Sequence, residues 1–155
     1  MDQISPYTIA QADPRDPGPR ALIEESRALM ASLYQADDNH ALPVDALAER
    51  PVRFFAASDG SGVLGTGAFR PEDGYGEVKA MFTARAARGR GVARAILHRI
   101  EAEARALGLG YLRLETGPEL EAAVALYRSE GFVDCAAFGD YPSCGGSLFM
   151  EKALR

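Results

Sequence analysis

A chain of 155 residues, 47% hydrophobic and 25% charged, carries enough apolar material to bury a sizeable core, which excludes a disordered tail or an array of short units. Its formal net charge of -5 argues against the broad basic face expected of a nucleic-acid or membrane-surface binder. No apolar run approaches the roughly 18 residues of a membrane span, and "MDQISPYTIAQADPRDPG" has neither the basic start nor the apolar stretch of a secretory signal, so a cytoplasmic location is expected.

In chain order, "YTIAQA" reads as an opening strand and "DPRDPGP" as a break. From Arg20 the apolar positions Leu22, Ile23, Leu29, Met30, Leu33 and Tyr34 recur at helical spacing, predicting an amphipathic helix that ends near Asp37-Asp38-Asn39. A short helix is expected after Pro43. "VRFFAAS", "VLGTGAF" and "YGEVKAMFT" then alternate as strands, joined by "DGSG" and "RPEDG", both hairpin-type turns, so an antiparallel meander is predicted. Val92, Ile96, Ile100, Ala104 and Leu107 fall on one helical face that ends at Gly108. "YLRLET" is a strand, "GPELEAAVALYRSEGF" a helix from near Pro118 to Gly131, and "FVDCAAF" and "SLFMEKAL" are two closing strands around a Tyr-Pro loop. The pattern is one mixed α/β domain over residues 1–155, without internal boundary. Cys135 and Cys144 lack partners at metal-ligand spacing and are read as reduced thiols, with no metal implied.

Two glycine motifs compete for a phosphate-binding role. Gly60-Ser61-Gly62-Val63-Leu64-Gly65 matches a dinucleotide fingerprint literally, but it continues into a strand where that fingerprint needs a helix, so it reads as a hairpin turn. No Gly-Lys-Ser or Gly-Lys-Thr of a Walker loop occurs. "RGRGVA", residues 88–93, instead lies between a strand and a strong helix. Unpaired amides and the positive end of the helix dipole meet there, Gly89 and Gly91 allow close backbone approach, and Arg88 and Arg90 add charge-assisted contacts to phosphate. Composition alone would make it a solvated helix start.

Arg88-Gly89-Arg90-Gly91-Val92-Ala93 resembles the Arg/Gln-x-x-Gly-x-Gly/Ala signature of the GNAT superfamily of acetyl-CoA-dependent N-acetyltransferases, and "AVALYRSEGF" resembles its late helix-plus-strand motif. The element order follows the family over nearly the whole chain. The resemblance implies a central, mostly antiparallel twisted sheet of about seven strands flanked by about four helices, with acetyl-CoA as cosubstrate and no metal. It implies a pyrophosphate cradle at Arg88, Gly89, Arg90, Gly91, Val92 and Ala93, and a strand edge for the pantetheine arm at Met81, Phe82 and Thr83, where an amide near Met81 would polarise the thioester carbonyl. Tyr127 stands at the family's tyrosine position, as acid for the departing thiolate. Glu77, eleven residues before Arg88, stands where several members place a base; a core tyrosine and a solvated strand residue are the plain alternatives for the two.

One departure is Leu120, where many relatives carry an amide that contacts the cofactor arm; Lys79 can face solvent or substrate. For the acceptor, the first helices and the closing hairpin offer Asn39, His40, Asp140 and Tyr141. The expected activity is acetyl transfer to a primary amine of a small molecule by direct attack in a ternary complex. The partners implied are that amine and, at most, a second copy of the chain, with no nucleic acid and no membrane. Acetylation of a peptide amine and a non-catalytic acyl-CoA sensor are the alternatives.

Overall fold

The computed structural model describes residues 7–34, 40, 42–143 and 145–154. Asn39, Cys144 and the predicted end of the first helix lie outside the described residues. Among these residues the elements are β1 (Thr8–Gln11), α1 (Pro17–Leu33), α2 (Val44–Leu47), β2 (Arg53–Asp59), β3 (Gly62–Pro71), β4 (Tyr75–Thr83), a 3₁₀ turn (Arg85–Ala87), α3 (Val92–Ala106), β5 (Tyr111–Thr116), α4 (Glu121–Ser129), β6 (Val133–Asp134) and β7 (Leu148–Ala153). The predicted order holds, with one refinement. α1 begins at Pro17 rather than Arg20, because proline in the first turn gives up an N–H that has no helical acceptor there, so the proline-rich stretch starts the helix.

The strands described form one sheet in the order β1-β2-β3-β4-β5-β7-β6. All its ladders are antiparallel except β4 with β5, which is parallel and covers only Tyr75↔Tyr111, Gly76↔Leu112 and Glu77↔Arg113. Beyond Glu77 the two strands part. β4 also changes register against β3: Lys79 faces Ala68 and Phe82 faces Thr66, so Ala80 and Met81 share the space opposite Gly67. Ala80 sits at φ 58°, and the Thr66 hydroxyl donates to its carbonyl at 2.7 Å.

α3 and α4 cover one face. Val92, Ile96, Ile100 and Ala104 pack on Phe55, Phe69, Val78 and Leu112, with Tyr127 and Phe132 beside them. Truncating a side chain such as Ile96, which is wholly buried, to alanine costs about 2–5 kcal/mol in such a core. Leu107, predicted on this face, is 41% exposed, since α3 ends at Ala106 and the chain is already turning towards Gly108. The glycines of β3 set the approach distance. A Cβ on Gly65 would lie 2.8 Å from Val92 Cγ1, and one on Gly67 would lie 2.6 Å from Met81 Sδ. On the other face Ile23, Val44 and Leu47 pack on Phe54 and Ala68. The apolar stripe of α1 is buried only at its start, and Leu29 and Leu33 are exposed.

Candidate active site

Gly91, at φ 78°, is the N-cap of α3, and no described side chain caps it. The first helical bond runs from the Ala95 amide to the Gly91 carbonyl at 3.0 Å, so the amides ahead of Ala95 have no acceptor in the helix. In front of Gly89 and Gly91 an added Cβ would meet no described atom within 4 Å. Open space before orphan amides at the positive end of a 15-residue helix fits a pyrophosphate group.

The four arginines between Ala84 and Leu97 do not act as one patch. Arg90 lies 3.5 Å from Asp59 and over the Tyr7 ring, and Arg94 pairs with Glu130, which also meets His98 at 2.6 Å. Arg85 and Arg88 are exposed and ion-pair with no described residue. Asp59 immediately precedes the rejected glycine motif: the turn from Asp59 to Gly62 joins β2 to β3, and the Ser61 hydroxyl and amide donate to the Asp59 carboxylate. Those two bonds, and then Arg90, hold that carboxyl below its ordinary pKa.

Where β4 and β5 part, a cleft of about 160 Å³ opens. Met81, Phe82, Leu114, Thr116, Leu120 and Tyr127 line it from the sheet and α4; Ile23, Met30, Tyr34 and Leu47 from α1 and α2; His40, Lys79 and Tyr141 at its polar end. The cleft lining thus includes Met81, Phe82, Tyr127, His40 and Tyr141 of the residues singled out by sequence. Thr83 follows on the same strand without lining it, Asp140 is exposed outside it, and Arg88–Ala93 lie apart from it at the start of α3. Cys135, half-buried with its thiol pushed up by burial, is not in the lining.

Tyr127 is 6% exposed, its ring set edge-on against Phe132. Burial alone pushes its phenol well above the ordinary range, so it holds its proton. Glu77 is 7% exposed and is not in the lining. It lies on the same face of β4 as Lys79, two residues on, whose ammonium is 2.9 Å away, and it accepts a short hydrogen bond from the Tyr141 hydroxyl. Lys79 Nζ also donates to that hydroxyl at 2.9 Å.

Sequence reasoning left Lys79 open and took Tyr34 for a packing residue. The i, i+2 spacing of Glu77 and Lys79 was the available signal for the first. Tyr34 in fact donates to Glu119 at 2.9 Å, and its ring occupies the place a side chain on Gly117 would need. Burial, and then Glu119, push its phenol from 10.0 up to about 12. Tyr127 and Tyr141 are raised as well, the latter by burial and Glu77. Unfolded tyrosines release protons from about pH 10 while these folded ones keep theirs. The unfolded state then binds fewer protons, so stability is full below that pH and falls as pH rises towards about 12. A thermal unfolding midpoint that drops over this window is the expected reading.

Residues 14–132 match the family model described as Acetyltransferase (GNAT) family. The chain is 46% identical over 149 residues to the IAA acetyltransferase of Azospirillum brasilense, covering 95% of this chain and 97% of that one. It superposes with a TM-score of 0.82 and 33% identity on an acyl-CoA N-acyltransferase structure from Klebsiella pneumoniae, covering 98% and 100% of the two chains. A Salmonella typhimurium acetyltransferase solved with acetyl-CoA shares the fold at TM-score 0.70 and 22% identity, over 97% and 95% of the chains. Among the described residues no helix is long and apolar enough to cross a membrane. With its uncapped helix start, parted strands and tyrosine-lined cleft, the chain belongs to the acetyltransferase (GNAT) family and is an N-acetyltransferase with acetyl-CoA as its cosubstrate.

Proposed function

We propose that this enzyme acetylates the primary amine of a small molecule by direct attack in a ternary complex. The observation that carries the reading is the size and walling of the cleft: about 160 Å³, bounded by α1, α2 and the Tyr141 loop, a volume near that of a cavity able to hold a single aromatic ring. The thioester end of the cofactor takes part of that space, and what is left for the acceptor suits a compact body better than an extended chain. The name of the Azospirillum relative, IAA acetyltransferase, supports a small-molecule acceptor.

In this reading Arg88–Ala93 hold the pyrophosphate and the Met81–Thr83 edge holds the pantetheine arm, since β4 has no ladder to β5 along that stretch. Acetyl-CoA supplies the activated thioester. Tyr127 gives a proton to the sulfur that leaves, and Glu77 takes the one lost by the amine. Direct attack asks for no nucleophile from the protein, and the Thr66 hydroxyl in the cleft lining is spent on the Ala80 carbonyl.

The test is thiol release from acetyl-CoA with benzylamine, an amino acid, a polyamine and a short peptide with a free amino terminus. Compact amines are expected to exceed the peptide in kcat/KM by at least about tenfold, the scale on which a fitted pocket discriminates between bodies of different size. A peptide that reacts faster than every small amine overturns the reading.

A further inference from the structure

We propose that Tyr141 carries the acceptor's proton to Glu77, acting as a relay between the cleft and a carboxylate that the cleft does not reach. This rests on the proposed amine acetylation with Glu77 as final base. Glu77 is 7% exposed and absent from the cleft lining, so a bound amine has no direct path to it. Two residues of the cleft lining bond to Glu77: Lys79 through its ammonium and Tyr141 through its hydroxyl. An ammonium has three donors and no acceptor, so Lys79 cannot take a proton. A phenol can. Its O–H points to Oε2 of Glu77, one lone pair accepts from Lys79 at 2.9 Å, and the second lone pair is left for an N–H in the cleft.

The transfer balances without any further reactant. An N–H bond of the ammonium breaks and an O–H bond forms on Tyr141. The phenol's own O–H bond breaks and its proton bonds to Oε2 of Glu77. Nitrogen keeps its electron pair for attack, Tyr141 ends as a neutral phenol, and Glu77 ends as a neutral acid that later returns the proton to water. Burial, and then Glu77 itself, push the Tyr141 phenol up, so it passes a proton on without standing as a phenolate. The ring is held for the task by edge contacts with His40, Phe138 and Phe149 at 5.1, 5.4 and 5.6 Å.

Other charged and titratable groups surround the pair. Tyr75 and Glu115 act on Tyr141 by charge, both raising it. Arg70 on β3 and Arg113 on β5 are the register partners of Glu77, and they are engaged by Glu72 and Glu151 at 3.1 and 3.0 Å. The His40 ring stands edge-on to Tyr141 from the other side.

The experiment compares the parent, Tyr141→Phe, Glu77→Gln and the double variant across pH, with the fastest amine of the panel as acceptor and coenzyme A affinity as a check on folding. Each single variant is expected to lower kcat by at least about tenfold on the low-pH side, where the amine is protonated, and to approach the parent above the amine's own pKa. Coenzyme A affinity stays at the parental value, and the double variant is no slower than Glu77→Gln, because both changes cut one route. A Tyr141→Phe profile equal to the parent's, with Glu77→Gln impaired, overturns the relay and leaves Glu77 as base. Fully multiplied defects in the double variant also overturn the relay. Glu77→Gln equal to the parent overturns the base assignment and the relay with it, and a panel without any acetylated amine overturns the proposed function beneath both.

Discussion

Tyr127→Phe is expected to slow turnover roughly 10²-fold or more while leaving the fold and acetyl-CoA affinity in place. The ring is buried and packs on Phe132, and phenylalanine keeps that packing. What it deletes is one hydroxyl. No described residue hydrogen-bonds that hydroxyl, and no described side-chain polar atom is buried without a partner, so it opens into the cleft that Tyr127 lines. Burial keeps it protonated at neutral pH, which is what a proton donor to a thiolate requires. Steady-state kinetics with saturating acetyl-CoA give the answer. Normal kcat in the variant would return Tyr127 to a packing role.

Gly91→Val is expected to weaken coenzyme A binding by about tenfold or more, with a smaller loss for Arg90→Ala. An L-residue at the left-handed φ of 78° is strained by about 1–2 kcal/mol, and a β-branched one by more. Relief comes by moving the N-cap, which turns the orphan amides of α3 away from their target. A strain of this size is already about a factor of ten in affinity. Arg90 is different, because it is engaged by Asp59 and partly solvated before any ligand arrives. Calorimetry with coenzyme A decides between them, and unchanged affinity in a folded Gly91→Val protein removes the cradle assignment.

Features fixed by local backbone chemistry were legible in the chain. Glycine punctuation placed the β2–β3 hairpin and the start and end of α3, and Arg88-x-x-Gly91-x-Ala93 falls at the uncapped start of that helix, where the cradle is proposed. Features that depend on what lies across the fold were not. Leu29, Leu33 and Leu107 keep helical spacing yet are exposed, because spacing gives a face and not how far the neighbouring layer extends. The pairing of Arg90 with Asp59 crosses 31 residues, and that of Glu77 with Tyr141 crosses 64. Neither distance leaves a trace in local pattern. The irregularity of β4 is equally silent, since nothing in "VKAMF" marks alanine for a positive φ.

That irregularity divides the molecule's labour. β4 is shared between two half-sheets for only three residue pairs, from Tyr75 to Glu77, and then belongs to β3 alone. The proposed cradle and pantetheine edge follow from the first half, through β3, β4 and α3, whereas Tyr127 and Tyr141 arrive from the second, through α4 and the loop before β7. In the proposed mechanism neither half owns a complete reaction. The rate therefore depends on alignment as much as on the reacting groups, and the joint that sets it is tightly fitted: a methyl group on Gly76 would stand 3.0 Å from Phe69 and 3.2 Å from Leu112. A change at that joint would reach the chemistry as altered spacing between donor and carbonyl, with every ligand contact still present in the sequence.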